Sequence, residues 1–222
     1  MSDEPSGMDW QEWHRDYDDP DSSVSHRLVV VQERLAALLA AGTGPIRVLS
    51  MCAGDGRDVI PVVAAVDREV RLTLVELDAD LADDARRRAA DAGVEADVRV
   101  ADAGSARTYL GVVPVDLAVM VGVLGNIADA DARTTIAAAR WLTAPGGTVV
   151  WSRSSRFRSP PTHGYDDPAA WVRDQFEAEG FETVDYVLPQ VQTEAWRLGI
   201  SRRTGDGPSS GWVPERLFSF VR

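Results

Sequence analysis

The sequence holds one cysteine, Cys52, three histidines and no lysine; all 23 of its basic residues are arginine. A lone cysteine closes no intramolecular disulfide, holds no iron–sulfur cluster and leaves a cysteine-based zinc site short of ligands, so no metal is expected. Without lysine, neither Schiff-base chemistry nor a phosphate-loop ammonium is open to the chain. Long hydrophobic runs are missing too. None approaches the roughly 20 apolar residues that span a bilayer, and the start, MSDEPSGMDWQEW, is acidic where a secretory leader is basic and then apolar. The expectation is a cytoplasmic protein with no membrane partner. Excess positive charge is also absent: the net charge is −12, and the first 22 residues set eight acids against Arg15. A chain of that sign does not neutralise a phosphate backbone, so nucleic acid is not an expected partner. The one basic cluster is Arg153, Arg156 and Arg158, which reads either as a solvated loop or as a site for an acidic ligand.

What is present is an ordinary globular composition, 222 residues with 45% hydrophobic and 26% charged, and no internal repeat. One domain is expected over 23–203, between an acidic extension, 1–22, that is a candidate lid and a C-terminal tail, 204–222. Trp10, Trp13 and Tyr17 fall at i, i+3 and i+7, a helical stripe that Asp19-Pro20 then interrupts. Ser23 to Ala41 reads as a helix with Leu28, Val31, Leu35, Leu38 and Leu39 on its apolar face.

From Ile46 onward, short apolar runs alternate with amphipathic helices. The runs are Ile46 to Met51, Val70 to Glu76, Asp97 to Ala101, Val115 to Val121 and Thr148 to Ser152. Helical stretches fall near Asp58 to Val66, Ala79 to Ala92, Ser105 to Leu110 and Asp129 to Leu142. Central runs that are apolar on both faces signal a parallel sheet covered by helices on both sides. Asp167-Pro168 then caps a further helix that Gly180 ends, and two strand-like runs, Phe181 to Leu188 and Ala195 to Arg203, follow with only a short loop between them. So short a connection requires antiparallel pairing. The fold class expected is α/β, doubly wound, a mostly parallel seven-stranded sheet closed by an antiparallel C-terminal hairpin.

Three strand ends carry polar groups. After the first strand comes Cys52-Ala-Gly54-Asp-Gly56-Arg-Asp58, whose glycines let backbone pass close to a ligand. Glu76 ends the second strand, 22 residues beyond Gly54, where an acid accepts hydrogen bonds from a ribose diol. Asp102 ends the third, where a carboxylate accepts from an exocyclic amine while the Ala103 N–H reaches a ring nitrogen. Open α/β sheets bind ligands in the crevice beyond such strand ends.

In these motifs and their order the chain resembles the class I S-adenosylmethionine-dependent methyltransferase family, from about Ile46 to Arg203. Val48 to Gly56 is similar to that family's glycine-rich motif, Glu76 to its ribose-binding acid, Asp102-Ala103 to its adenine contact, and Ala144-Pro-Gly-Gly147 to its turn before the fifth strand. The resemblance implies S-adenosyl-L-methionine as cofactor and S-adenosyl-L-homocysteine as product. It implies Ala53, Gly54, Asp55, Gly56, Asp58, Glu76, Leu77, Asp102, Ala103 and Gly122 as cofactor-binding residues. If the extension closes as a lid, Tyr17 covers the methionine end and Arg27 pairs its carboxylate; otherwise the extension is an acidic tail and Arg27 a solvated helix residue. The sequence departs from the family at Ser50, where an acid is usual, and at Cys52, where a glycine is usual; Asp55 or Asp58 is the candidate substitute for the acid. A nicotinamide-dependent oxidoreductase is the competing reading, but it wants a third glycine where the chain has Val59. A non-catalytic nucleoside-binding subunit is the other alternative.

After the fourth strand the chain reads Val121-Gly-Val-Leu-Gly-Asn126, without an Asn/Asp-Pro-Pro-Tyr box, and with the acidic surface this points to a small-molecule acceptor. Methyl transfer from a sulfonium is an in-line displacement, for which the protein mainly positions and desolvates. Where a general base is needed histidine is the usual choice, and His14 and His163, expected near the acceptor, rank above His26. Trp151, Phe157 and Trp212 are candidates for an apolar acceptor wall or for plain core.

Overall fold

The computed structural model describes residues 16–156, 164–205 and 213–221. His14, His163, Trp10, Trp13, Phe157, Arg158 and Trp212 lie outside them. The described part begins with a 3-10 turn, Asp16–Asp18, and a helix, α1 (Ser23–Ala40), whose N-cap Ser22 accepts from the Ser25 N–H. Tyr17 is therefore not on a continuing helix, in keeping with the break expected at Asp19-Pro20. The strands are β1 (Ile46–Met51), β2 (Val70–Glu76), β3 (Ala96–Val100), β4 (Val115–Met120), β5 (Thr143–Ser154), β6 (Phe181–Val187) and β7 (Trp196–Arg203). Between them lie α2 (Ile60–Ala65), α3 (Ala79–Asp91), a 3-10 turn at Ala106–Tyr109, α4 (Asp129–Leu142) and α5 (Pro168–Ala178).

The sheet order is β3-β2-β1-β4-β5-β7-β6. Six strands run one way, and β7 runs against both its neighbours, so the expected hairpin sits at one edge with β6 outermost. Chain order reverses direction between β1 and β4, which opens a crevice beyond their carboxyl ends. The core divides into one cluster on each face, as strands apolar on both sides require: one around Leu49, Met120, Trp151 and Phe176, the other around Val48, Leu72, Leu117 and Ile200.

Three departures from the expected boundaries have physical causes. First, α2 starts at Ile60, not Asp58: Gly56 O accepts from both Val59 and Ile60, so turns occupy the stretch after the glycines and the loop itself lines the crevice. Second, β5 begins at Thr143 instead of Thr148, because Thr143 pairs with Val115 across a register shift and the Pro-Gly-Gly stretch bows out between. Gly147 is required there, since a Cβ would sit 2.8 Å from Ala144 O. Third, the segment expected as a tail is packed: Leu217 and Phe218 are buried.

Candidate functional site

The loops beyond β1, β2 and β3 are tied side by side through backbone. Ala53 N donates to Val75 O, and Ala101 N to Glu76 O, each at 2.9 Å. Positive φ recurs at alternate residues of the first loop, at Cys52 (54°), Gly54 (55°) and Gly56 (71°). Only Cys52 incurs a cost for this, as a side chain in the left-handed region. Its thiol lines the cavity that follows, where burial, with help from the Glu76 and Asp102 charges, pushes its pKa far up; it is a poor nucleophile.

These loops enclose a cavity of about 280 Å³. The first loop contributes Ala53, Gly54, Asp55 and Asp58, β2 contributes Glu76 and Leu77, the loop after β3 contributes Asp102 and Ala103, and Gly122 follows β4. Tyr17 closes one side. Two expected members stand elsewhere. Gly56 packs behind the loop, where a Cβ would meet Ile60 at 2.4 Å, and Arg27 faces a second cavity while donating to the Tyr17 hydroxyl at 2.9 Å.

The carboxylates are not equivalent. Glu76 Oε1 accepts from the Leu77 and Asp78 N–H groups at 2.8 and 2.9 Å, and Oε2 from Gly54 N at 2.8 Å. A carboxylate has about four acceptor positions, so one remains for a ligand where a diol would use two. Asp102 Oδ1 accepts from Gly104 N and Oδ2 from Arg216, both at 2.8 Å, which leaves about two positions open. Asp55 is committed to structure. Arg57 and Arg88 reach its carboxylate at 2.7 and 2.6 Å, and although burial raises its pKa, the two guanidiniums outweigh burial and hold it below the ordinary carboxylate range. Asp58 is the opposite case: Oδ1 is shielded from solvent with no hydrogen-bond partner, and burial pushes its pKa up to about 6 against the nearby charge of Arg27. Of the two acids able to stand in for the one missing at Ser50, only Asp58 is left for a ligand.

The second cavity, about 530 Å³, shares Gly122 with the first. His26 and Glu194 line it, with His26 Nδ1 2.6 Å from Glu194 Oε1, while the Trp196 indole N–H holds Oε2 at 2.6 Å. Sequence reasoning ranked His26 below His14 and His163, which the resemblance placed nearer the acceptor; the partner that marks His26, Glu194, lies 168 residues away. Arg153 lines this cavity too, but it is not available to an acidic ligand: it pairs with Asp129 at 2.7 Å, both side chains nearly buried, and donates to Leu124 O. Arg156 donates to Thr193 O. Trp151 is core, wholly buried and stacked on Phe176. Arg216 and Phe220 went unnoticed, although the apolar pair Leu217-Phe218 followed by Phe220 was a visible signal in the supposed tail.

Residues 48–147, which contain all the strand-end loops just described, match the family model for a methyltransferase domain. That stretch is similar to a methyltransferase domain, and the fold around it is the Rossmann-like one of class I methyltransferases. No curated protein sequence matches the chain. Among solved structures, magnesium protoporphyrin IX methyltransferase (ChlM) from Synechocystis PCC 6803 with bound SAM aligns at TM-score 0.66 and 17% identity, over 89% of this chain and 92% of that one. The CurJ carbon methyltransferase aligns at 0.67 and 16%, over 89% and 59%. A fibrillarin pre-rRNA processing protein from Methanococcus jannaschii aligns at 0.57 and 20%, over 73% and 68%. At such identities the likeness is one of fold, and this chain shares it with proteins of different substrates.

Proposed function

We propose that the chain transfers a methyl group from S-adenosyl-L-methionine to a small-molecule acceptor, the donor lying in the first cavity and the acceptor in the second. The observation that carries this reading is the orphaned Asp58 Oδ1 in a cavity whose other carboxylates are spaced along the three strand ends. An amino acid linked to a nucleoside fits that set. Asp58 accepts from the ammonium, Tyr17 covers the same end, Glu76 offers its remaining position to one ribose hydroxyl, and Asp102 with the Ala103 N–H faces the base. Tyr17 belongs to the donor site, held by the Ser25 hydroxyl on its backbone O and by Arg27 on its hydroxyl.

When bound, the sulfonium supplies an activated methyl carbon to a nucleophile in line with it. The chain's own part is to orient both reactants, an effect worth roughly 7 to 11 kcal/mol, and to take up a proton where the acceptor must lose one. His26 suits that last role: with Nδ1 donating to Glu194, Nε2 is left as the basic atom. A cavity of this size fits a small acceptor, and the net charge of −12 disfavours a polyanion. Among the described residues no helix is long and apolar enough to cross a membrane, and no group of acids, histidines and cysteine is placed to hold a metal.

The test is isothermal titration of S-adenosylmethionine and S-adenosylhomocysteine into the unsubstituted protein and into Glu76→Gln, which keeps the size of the side chain but turns one of its two acceptor oxygens into a donor, with a thermal melt to show that the variant is folded. Micromolar binding, weakened about tenfold or more by the substitution, is the expected result. Absence of binding to both ligands overturns the reading.

A further inference from the structure

Residues 213–221 lie across the carboxyl ends of β3 and β4 and join the two loops that flank the base end of the donor cavity. Antiparallel bridges pair Arg216 with Ser105 and Phe220 with Ile127. Leu217 N donates to Gly104 O at 2.7 Å, and Val221 N to Asn126 O at 2.9 Å. From α4, the Thr135 hydroxyl donates to Leu217 O, and Asp131 accepts from Ser219 N. The contact with the β3 loop is direct backbone on backbone: a Cβ on Gly104 would lie 2.2 Å from Phe218 O, so only glycine admits the segment there. Leu217 and Phe218 anchor it in the core, and Phe220 lines the donor cavity.

Arg216 is the polar end of this strap. One guanidinium nitrogen donates to Asp102 Oδ2 at 2.8 Å and the other to Phe218 O at 3.0 Å. The carboxylate is thus clamped between Gly104 N on Oδ1 and Arg216 on Oδ2, which fixes its plane and its two open acceptor positions.

We propose that Arg216 is a positioning residue for the base subsite: it holds the Asp102 carboxylate in the plane that accepts an exocyclic amine, and with the Phe220 wall it makes the segment 213–221 the part of the chain that selects a 6-aminopurine. The proposal rests on the donor reading above. A base bearing a 6-oxo group and an N1–H reverses the donor and acceptor pattern at that edge, so a carboxylate of fixed orientation rejects it, whereas one free to rotate discriminates less.

The test compares S-adenosyl-L-homocysteine with S-inosyl-L-homocysteine by isothermal titration on the unsubstituted protein, Arg216→Ala, Arg216→Lys and Phe220→Leu, with thermal melts to show that each variant is folded. The unsubstituted protein is expected to prefer the adenine ligand at least about tenfold, the discrimination that a matched hydrogen bond gives over an unmatched one. Arg216→Ala loses affinity for the adenine ligand and keeps that for the inosine ligand within about threefold, so the preference collapses; Arg216→Lys restores part of it. Phe220→Leu, which keeps an apolar wall and leaves Arg216 untouched, weakens both ligands and retains the preference. An equal loss for both ligands in Arg216→Ala, or a preference unchanged in every variant, overturns the proposal and leaves the donor reading standing. Absence of binding by the unsubstituted protein overturns both.

Discussion

On the proposed reading, Asp58 trades stability for a binding site. Its pKa in the folded chain is pushed up to about 6 by burial, above the ordinary aspartate value of about 4, so the fold disfavours its charge. A carboxyl with a raised pKa leaves stability intact below about pH 4 and subtracts from it progressively as pH climbs to about 6. Asp58→Asn removes the charge. It is expected to stabilise the ligand-free protein by about 2 kcal/mol at pH 7.5 and by nothing near pH 4, read from thermal or urea unfolding at the two pH values. The same variant loses at least about tenfold in S-adenosylhomocysteine affinity, and affinity in the unsubstituted protein declines as pH falls through about 6. A variant that is destabilised at pH 7.5, or that binds the ligand unchanged, removes Asp58 from the donor site. The sequence offered Asp55 and Asp58 as equals. What separates them is Arg88, which reaches Asp55 across 33 residues of chain, and the lack of a hydrogen-bond partner at Asp58 Oδ1; both are set by tertiary packing, and no local pattern carries either.

At the scale of elements, periodicity tells most where burial is two-sided. The bounds of β1 and β2 agree with their apolar runs because those strands lie between two core clusters, where strand pairing is the main way to satisfy their backbone. Where local and long-range pairing compete, the reading slips: β5 gains Thr143 through Val115, and the last strap is invisible as structure because its backbone pairs with loops and a helix far away in sequence. The edge pair β6 and β7 depends on one further contact. Gly199 of β7 faces Trp151, and a Cβ there would lie 2.1 Å from the indole ring, which cannot retreat because it stacks on Phe176 and its N–H is held by Ser201 Oγ. Gly199→Ala is expected to cost about 3 kcal/mol by urea unfolding, whereas Gly44→Ala, with nothing within 4 Å of its added methyl, changes stability by less than about 0.5 kcal/mol. Equal effects at the two sites would mean that the Trp151 contact does not hold the sheet edge in place.

Across the whole molecule, the two cavities proposed for donor and acceptor are built from different parts of the chain and meet at one residue. The donor cavity takes its polar groups from the ends of β1, β2 and β3; the second draws on α1, β5 and the loop before β7, with the His26 and Glu194 pair bridging the first helix and that loop. Among the described residues, Gly122, with φ of 80°, is the one that lines both cavities; its N–H donates to the Ser152 hydroxyl at 2.9 Å, and an added Cβ would meet no atom within 4 Å. That open space is where a methyl group must pass if the two cavities serve one reaction. Gly122→Ala adds a methyl group to that passage and a left-handed strain of about 1 kcal/mol. It should therefore leave S-adenosylhomocysteine affinity within about threefold while lowering kcat by about a hundredfold or more, since misplacement of the reacting centres by about 1 Å has that cost. His26→Gln gives the same split, lowering kcat by about 10² to 10⁴ where the acceptor must lose a proton, because it removes a proton acceptor and leaves the alignment intact. Both are measured by transfer of a labelled methyl group to the acceptor that a small-molecule screen supplies. A Gly122→Ala variant with full turnover would show that the acceptor reaches the donor by another route, and the second cavity would then lose its assignment.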